Sequence, residues 1–264
     1  MALLHINYRS KILGQDQEMT VVLPEREDLP DTDLTDIPVL YLLHGMGGNE
    51  LTWIRNTRLV RLIRHTKLAV VMPTTGLGWY TNTTYGMDYF DALSKELPEK
   101  VQGFFPQLAT TRDKQFVAGL SMGGYGAWKF ALGTNTFSYA ASLSGALDLN
   151  QLDFNLIKDE KQLAYWHGVF GDFDKFSSSK NDLLYLARKK VASSEELPRL
   201  YAWIGTDDDL YSTNQSAKDE VERLGYNLSY NEARGRHEWY YWDQKLEDVL
   251  KWLPINYVEE ERLS

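Results

Sequence analysis

Residues 116–128, FVAGLSMGGYGAW, set one serine among four glycines, between an apolar run and a segment of helical character. Within it Gly119-Leu120-Ser121-Met122-Gly123 is G-x-S-x-G, which at a strand-to-helix junction makes a nucleophile elbow. A serine on so sharp a turn has strained torsions, and Gly119 and Gly123 stand where a Cβ would collide with the adjoining strand or helix. Gly124, Gly126 and Ala127 let the following helix approach a sheet, and its N-terminus favours negative charge developing beside Ser121. A nucleotide-binding reading fails, since these glycines form neither G-x-G-x-x-G nor a loop followed by G-K-[ST].

A serine hydroxyl at neutral pH needs a base to take its proton and an acid to orient that base. At an elbow of this kind the partners follow in the order serine, acid, histidine. Two histidines follow Ser121. His237, in EARGRHEWYYW, falls between a predicted last strand and last helix and is the expected base; His167, beside Trp166, reads as structural or as a pocket wall. After the apolar run RLYAWIG come Asp207, Asp208 and Asp209. The spacing G-x-x-D from Gly205 selects Asp208, with Asp207 as the alternative. An oxyanion would be held by the main-chain N–H of Met122 and of Met46 in HGMGG, with Gly47 as alternative to Met46. His44 precedes the serine and is expected to hold that turn. There is neither H-E-x-x-H nor a tight His/Asp cluster, so no metal is expected.

The elements that must position these groups follow from hydrophobic patterning. EMTVVLP alternates like a half-buried strand, whereas IPVLYLLHG and LAVVMP are continuous apolar runs, as in strands covered on both faces. Between the last two, ELTWIRNTRLVRLIRHT has helical spacing. MDYFDALSKELPEKVQGFF reads as another helix that Pro98 kinks or ends. Then KQFVAGL, YAASLSGA, RLYAWIG and LSYNEARG read as strands alternating with helices MGGYGAWKFAL, NQSAKDEVERLG and EWYYWDQKLEDVLKWL. That alternation implies βαβ units with right-handed crossovers, a mostly parallel central sheet with helices on both faces. Residues 150–198 break the rhythm. They are expected to form a cap-like insertion lying over one edge of the sheet and over the active site, with a Ser/Asn-capped helix near its end, inside a single domain covering 1–264.

Composition limits the partners. The 264 residues carry 28 Lys plus Arg against 37 Asp plus Glu, a net charge of −9, which argues against a nucleic-acid partner. No cysteine is present, so disulfides, thiolate metal sites and cysteine nucleophiles are excluded. No segment has the roughly 18 uninterrupted apolar residues of a membrane-spanning helix, and a cytoplasmic location is the expectation.

LYLLHGMGGNELTW, GWYTNTTYGMDYFDALSKELP, FVAGLSMGGYGAWKFAL, SLSGALD, WIGTDDDLY and GRHEWYYWDQKLEDVLKWL together resemble the esterase D, S-formylglutathione hydrolase and feruloyl-esterase-like group of α/β hydrolases, most closely small bacterial tributyrin esterases. The pieces run in the family's order over nearly the whole chain. The resemblance implies an α/β-hydrolase fold, a cofactor-free serine esterase for short acyl chains, and Ser121, Asp208 and His237 as its triad; it also makes a homo-oligomer possible. Trp53, Trp79, Tyr80, Trp166 and Phe170 are the candidate walls of the substrate pocket, and bulky aromatic walls would leave a shallow slot for acetyl to butyryl groups, with acetylated carbohydrate as one substrate class. The alternative on the same triad is a thioesterase or acyltransferase.

Overall fold

The computed structural model describes residues 1–259 except Asp153, Asn155 and Leu156; these three, from the expected insertion 150–198, lie outside the described residues. Eight strands form one sheet: β1 (Ala2–Arg9), β2 (Asp16–Leu23), β3 (Val39–Leu43), β4 (Ala69–Pro73), β5 (Gln115–Leu120), β6 (Tyr139–Leu143), β7 (Arg199–Gly205) and β8 (Leu228–Ala233). Their order is β1-β2-β4-β3-β5-β6-β7-β8. β1 and β2 pair antiparallel, as do β2 and β4, and every other pairing is parallel. The helices are α1 (Thr52–Asn56), α2 (Leu59–Leu62), α3 (Tyr89–Asp91), α4 (Leu97–Phe104), α5 (Met122–Gly133), α6 (Glu160–Phe170), α7 (Leu183–Ala192), α8 (Tyr211–Arg223) and α9 (Trp239–Trp252).

The continuous apolar runs are the central strands, every residue of β3, β4 and β5 being buried. Successive side chains point to opposite faces, so Val39, Tyr41 and Leu43 enter one core with α4, α5, α7 and α8, while Leu40 and Leu42 enter the other with α1, α2 and α9. A strand that must be apolar on both sides loses alternation as its signature. Among the described residues no helix is long and apolar enough to cross a membrane.

Two expected elements differ, and one element was not expected. The segment 50–66 is two short helices, because the Thr57 hydroxyl donates to the Trp53 carbonyl at 2.6 Å and the Asn56 amide to that of Thr52 at 2.7 Å, while the Arg58 N–H turns to the Asp243 carboxylate at 2.8 Å. Pro98 does not end its helix: a π-helical turn, Ala92–Glu96, precedes it and α4 continues to Phe104. The N-terminal residues, to which the pattern assigned no element, form β1.

The expected insertion over one edge is corrected in part. It connects the neighbouring strands β6 and β7, and its α7 packs against α5 on a face of the sheet, as an ordinary crossover helix does. The N-cap of α7 is Asp182 rather than serine or asparagine, its carboxylate accepting from the N–H of Leu184 and Tyr185. The earlier part, α6, reaches the other loops: the Tyr85 N–H donates to the Gly168 carbonyl at 3.1 Å, and the Tyr165 hydroxyl accepts from Trp79 Nε1 at 3.0 Å and donates to the Leu77 carbonyl at 2.9 Å.

Candidate active site

Four loops leave the sheet at the same end. Those after β3, β5, β7 and β8 carry His44–Gly48, Ser121, Asp208 and His237, and each follows the C-terminal end of a parallel strand. Ser121 occupies the one residue between β5 and α5, with φ 52° and ψ −120°. A non-glycine residue pays strain there. The tightness of the elbow explains its glycines: a Cβ on Gly119 would sit 2.3 Å from the Gly123 carbonyl oxygen, and one on Gly123 only 2.4 Å from that of Leu43. Gly205 serves the same purpose between the other two loops. A Cβ there would meet the Gly235 carbonyl oxygen at 2.3 Å, and the close approach lets the Asp207 N–H donate to that carbonyl at 3.0 Å, holding the histidine loop against the aspartate loop.

The structure brings Ser121, His237 and Asp208 together. His237 Nε2 lies 2.9 Å from Ser121 Oγ, and Nδ1 lies 3.1 and 3.0 Å from the two Asp208 carboxylate oxygens. A carboxylate only accepts, so Nδ1 carries the proton and Nε2 offers its lone pair to the serine hydroxyl. The Asp208 side chain is wholly buried. Burial pushes its carboxyl up, but hydrogen bonds from His237, the Leu210 N–H and the Ser144 hydroxyl outweigh it and hold the group below its ordinary value. Asp207 is half-exposed and lies 3.6 Å from Arg234. His167 Nδ1 bonds the Gly171 carbonyl at 2.9 Å and closes the end of α6.

Patterning missed the groups behind this relay. Ser144, with φ 50° and fully buried, touches Asp208 and accepts from Trp242 Nε1 at 3.0 Å. The Trp242 ring also stands edge-on to His237, with centroids 4.9 Å apart. Trp239 and Trp242 lie three residues apart on the first turn of α9, directly after His237, a spacing that puts both rings on the histidine's side.

The cavity at Ser121 holds about 650 Å³ and is walled by Gly45–Gly48, Thr52, Arg55, Leu120, His237, Trp239 and Trp242 among others. Of the two expected oxyanion donors, Met46 lines it, its side chain exposed, and Met122 follows Ser121 as the first residue of α5, its side chain buried and its N–H without an intrahelical acceptor. The five expected aromatic walls do not line this cavity. Trp53 is a core residue that donates to the Leu43 carbonyl at 3.0 Å and stands behind Trp239, edge to face. Tyr80 is fully buried, its hydroxyl donating to the His44 carbonyl at 2.9 Å. Trp79, Trp166 and Phe170 pack on one another under α6. Ring size alone did not decide between wall and core; the direction in which each loop faces did.

His44 holds the turn after β3. Its Nδ1 donates to the Gly45 carbonyl at 2.7 Å, and its Nε2 accepts from the Thr75 N–H at 3.1 Å, which fixes the neutral tautomer. Burial pushes its pKa down to about 4 from the ordinary 6.5, against the weaker upward pull of the Gly45 carbonyl. In the unfolded chain His44 binds a proton below pH 6.5, whereas in the folded chain it stays neutral until about pH 4. Its contribution is therefore complete above pH 6.5 and is lost as the pH falls toward 4, by about 3 kcal/mol in all. Guanidinium unfolding at pH 7 and pH 4.5 is expected to show a smaller drop in His44→Gln than in the parent, and equal drops would exclude this imidazole as a source of acid sensitivity.

A serine at a strand-to-helix elbow, on a mostly parallel sheet with helices on both faces, places the chain among serine hydrolases of the α/β-hydrolase fold. It belongs to the Esterase family, whose profile matches residues 10–253. An acetyl esterase of Caldicellulosiruptor saccharolyticus is 30% identical over 263 residues, covering 96% of this chain and 98% of that one. Among solved structures, the fluorophosphonate-binding serine hydrolase FphF of Staphylococcus aureus superposes with a TM-score of 0.84 at 33% identity, and an S-formylglutathione hydrolase (FrmB) of Staphylococcus aureus with 0.83 at 32%; each match covers 96% of this chain and 98% of the other. The chain is a carboxylic ester hydrolase.

Proposed function

We propose that the protein hydrolyses esters of short acyl groups, acetyl to butyryl, through an acyl-Ser121 intermediate. The observation that carries this is the unbroken chain from Ser121 Oγ through His237 to buried Asp208, opening into a cavity beside a glycine turn. His237 takes the Ser121 proton as the oxygen attacks the carbonyl carbon, and the main-chain N–H groups of Met122 and Met46 hold the oxyanion. The imidazolium, stabilised by Asp208, gives its proton to the departing alcohol; water then attacks the acyl carbon with His237 as base again and restores the serine. The N-terminus of α5 adds a favourable dipole at the developing charge.

The acyl limit rests on Leu120, Trp239 and Trp242, bulky apolar neighbours of Ser121, and on the likeness to an acetyl esterase. Thr52, Arg55, Asn56 and Glu238 give the same cavity polar groups for a hydroxylated alcohol such as a sugar. Across p-nitrophenyl esters, kcat/KM is expected to be highest for acetyl to butyryl and to fall at least ~10-fold by octanoyl, since poorly accommodated methylenes each cost a fraction of a kcal/mol or more. A maximum at octanoyl would overturn the short-chain reading. Acid-quenched mass spectrometry during turnover should show a population one acetyl group heavier. The likeness to an S-formylglutathione hydrolase favours thioester cleavage as the second reading, and an S-acyl thiol assayed beside the oxygen ester of the same acyl group separates the two.

A further inference from the structure

Eight residues beyond Ser121 on α5, about 12 Å along the helix axis, Lys129 is buried with no carboxylate beside it. Its ammonium donates to Asn181 Oδ1 at 2.6 Å, to the Tyr125 hydroxyl at 3.2 Å and to the Thr81 hydroxyl. The Thr81 hydroxyl gives its own proton to Asn181 Oδ1, and that of Tyr125 goes to the Asn181 carbonyl at 2.7 Å. Both oxygens are thus left to accept, and three acceptors around one nitrogen call for three N–H donors, the charged form. The rings of Phe90 and Tyr125 lie 5.7 and 5.4 Å from it, an arrangement that also suits a cation. Burial works the other way and drives the group toward its neutral amine. A buried cation without a counter-charge is costly, and an anion from outside would resolve the conflict.

The setting supplies a place for one. Lys129 borders a cavity of about 390 Å³ that shares no lining residue with the one at Ser121. Five lysines, 95, 129, 180, 189 and 190, line it against two carboxylates. Asp91 is paired with Lys95 and Glu195 with Lys190. Among the described residues, Lys129, Lys180 and Lys189 have no carboxylate within ion-pair distance. We propose that this cavity binds the phosphate group of a small phosphorylated metabolite, or free phosphate, on Lys180 and Lys189 at its rim, with the buried charge of Lys129 behind them as the uncompensated cation. A phosphate carries nearly two charges and can accept from Lys180 and Lys189 at once, while Lys129, whose three N–H groups are already given to Asn181, Tyr125 and Thr81, contributes its charge alone. The volume, within the range of small-molecule sites, has room for an organic body beside it.

Thermal unfolding at fixed ionic strength tests this with three probes: inorganic phosphate, ribose 5-phosphate and succinate. The folded protein is expected to show a saturable rise in Tm with both phosphates, half-saturating at an at least ~10-fold lower concentration of the sugar phosphate. Equal potency of the two would make free phosphate the ligand. In Lys180→Ala/Lys189→Ala the midpoint should move up by at least ~10-fold, with Tm in chloride and p-nitrophenyl acetate turnover unchanged. Lys129→Met, where it folds, should lose the response. No saturable rise beyond chloride, an undiminished response in the double variant, or succinate acting as strongly as phosphate would each overturn the proposal. Because the readout is stability, its failure is independent of the esterase reading.

Discussion

Ser121→Ala is expected to lower kcat for p-nitrophenyl acetate by roughly 10⁴-fold or more, the scale seen when the nucleophile of a serine relay is removed. The loss follows from chemistry alone, because alanine keeps the Cβ that is already accommodated at φ 52°. His237 Nε2 then has no hydroxyl at 2.9 Å to deprotonate, and water bound there must do the work of a positioned nucleophile. Ser121→Gly separates this from folding. Glycine relieves the strain of a positive φ, worth on the order of 1–3 kcal/mol, and gives part of it back through the greater freedom of the unfolded chain. The glycine variant should therefore be as inactive as alanine yet melt about 2 °C higher, a net gain near 1 kcal/mol for a chain of this length. Turnover retained by Ser121→Ala would remove Ser121 from the reaction. Retained turnover with a lower Tm would leave the elbow a purely structural feature.

What was legible beforehand has a physical pattern. The elbow could be read because backbone crowding leaves so few residue types possible: Gly119 and Gly123 have neighbouring carbonyl oxygens where a side chain would begin. The strands bearing the loops could be read because a sheet covered on both faces demands unbroken apolar runs, as in VLYLL and QFVAGL. The chain order serine, acid, histidine then narrowed the candidates to a few. The walls of the cavity could not be read this way. Trp53 and Trp239 are the same side chain, edge to face in one cluster, and only the path of the loop after β3 makes one the core behind the other. Ser144 carried no signal in SLSG, since its importance lies in a positive φ that turns its hydroxyl toward Asp208. Trp242 did carry one: it sits five residues beyond the histidine and one helical turn from Trp239, on the face of α9 that continues through Leu246 and Val249 into the core.

Asp208→Asn should cost about 10⁴-fold in kcat while Asp207→Asn stays within about twofold, although the two aspartates are adjacent. The difference lies in what each carboxylate faces. Asp208, with no exposed side-chain surface, receives His237 Nδ1 on both oxygens and the Leu210 N–H on Oδ1 at 2.9 Å. An amide in its place keeps its oxygen on the Leu210 donor and turns an NH₂ toward His237. Nδ1 must then accept, the ring proton moves to Nε2, and the imidazole presents a donor where the Ser121 hydroxyl needs an acceptor. The packing survives, so the melting temperature should change little beside the rate. Asp207 has its side chain half in solvent, its contact with Arg234 is 3.6 Å long, and its tie to the histidine loop runs through its main-chain N–H to Gly235, which asparagine retains. Such an exposed pair contributes at most about 1 kcal/mol to stability and nothing to the tautomer of His237. Measuring kcat for both variants on one ester therefore decides the acid directly: the larger loss at position 207 would transfer the role to Asp207 and leave the close contacts of Asp208 a matter of loop packing.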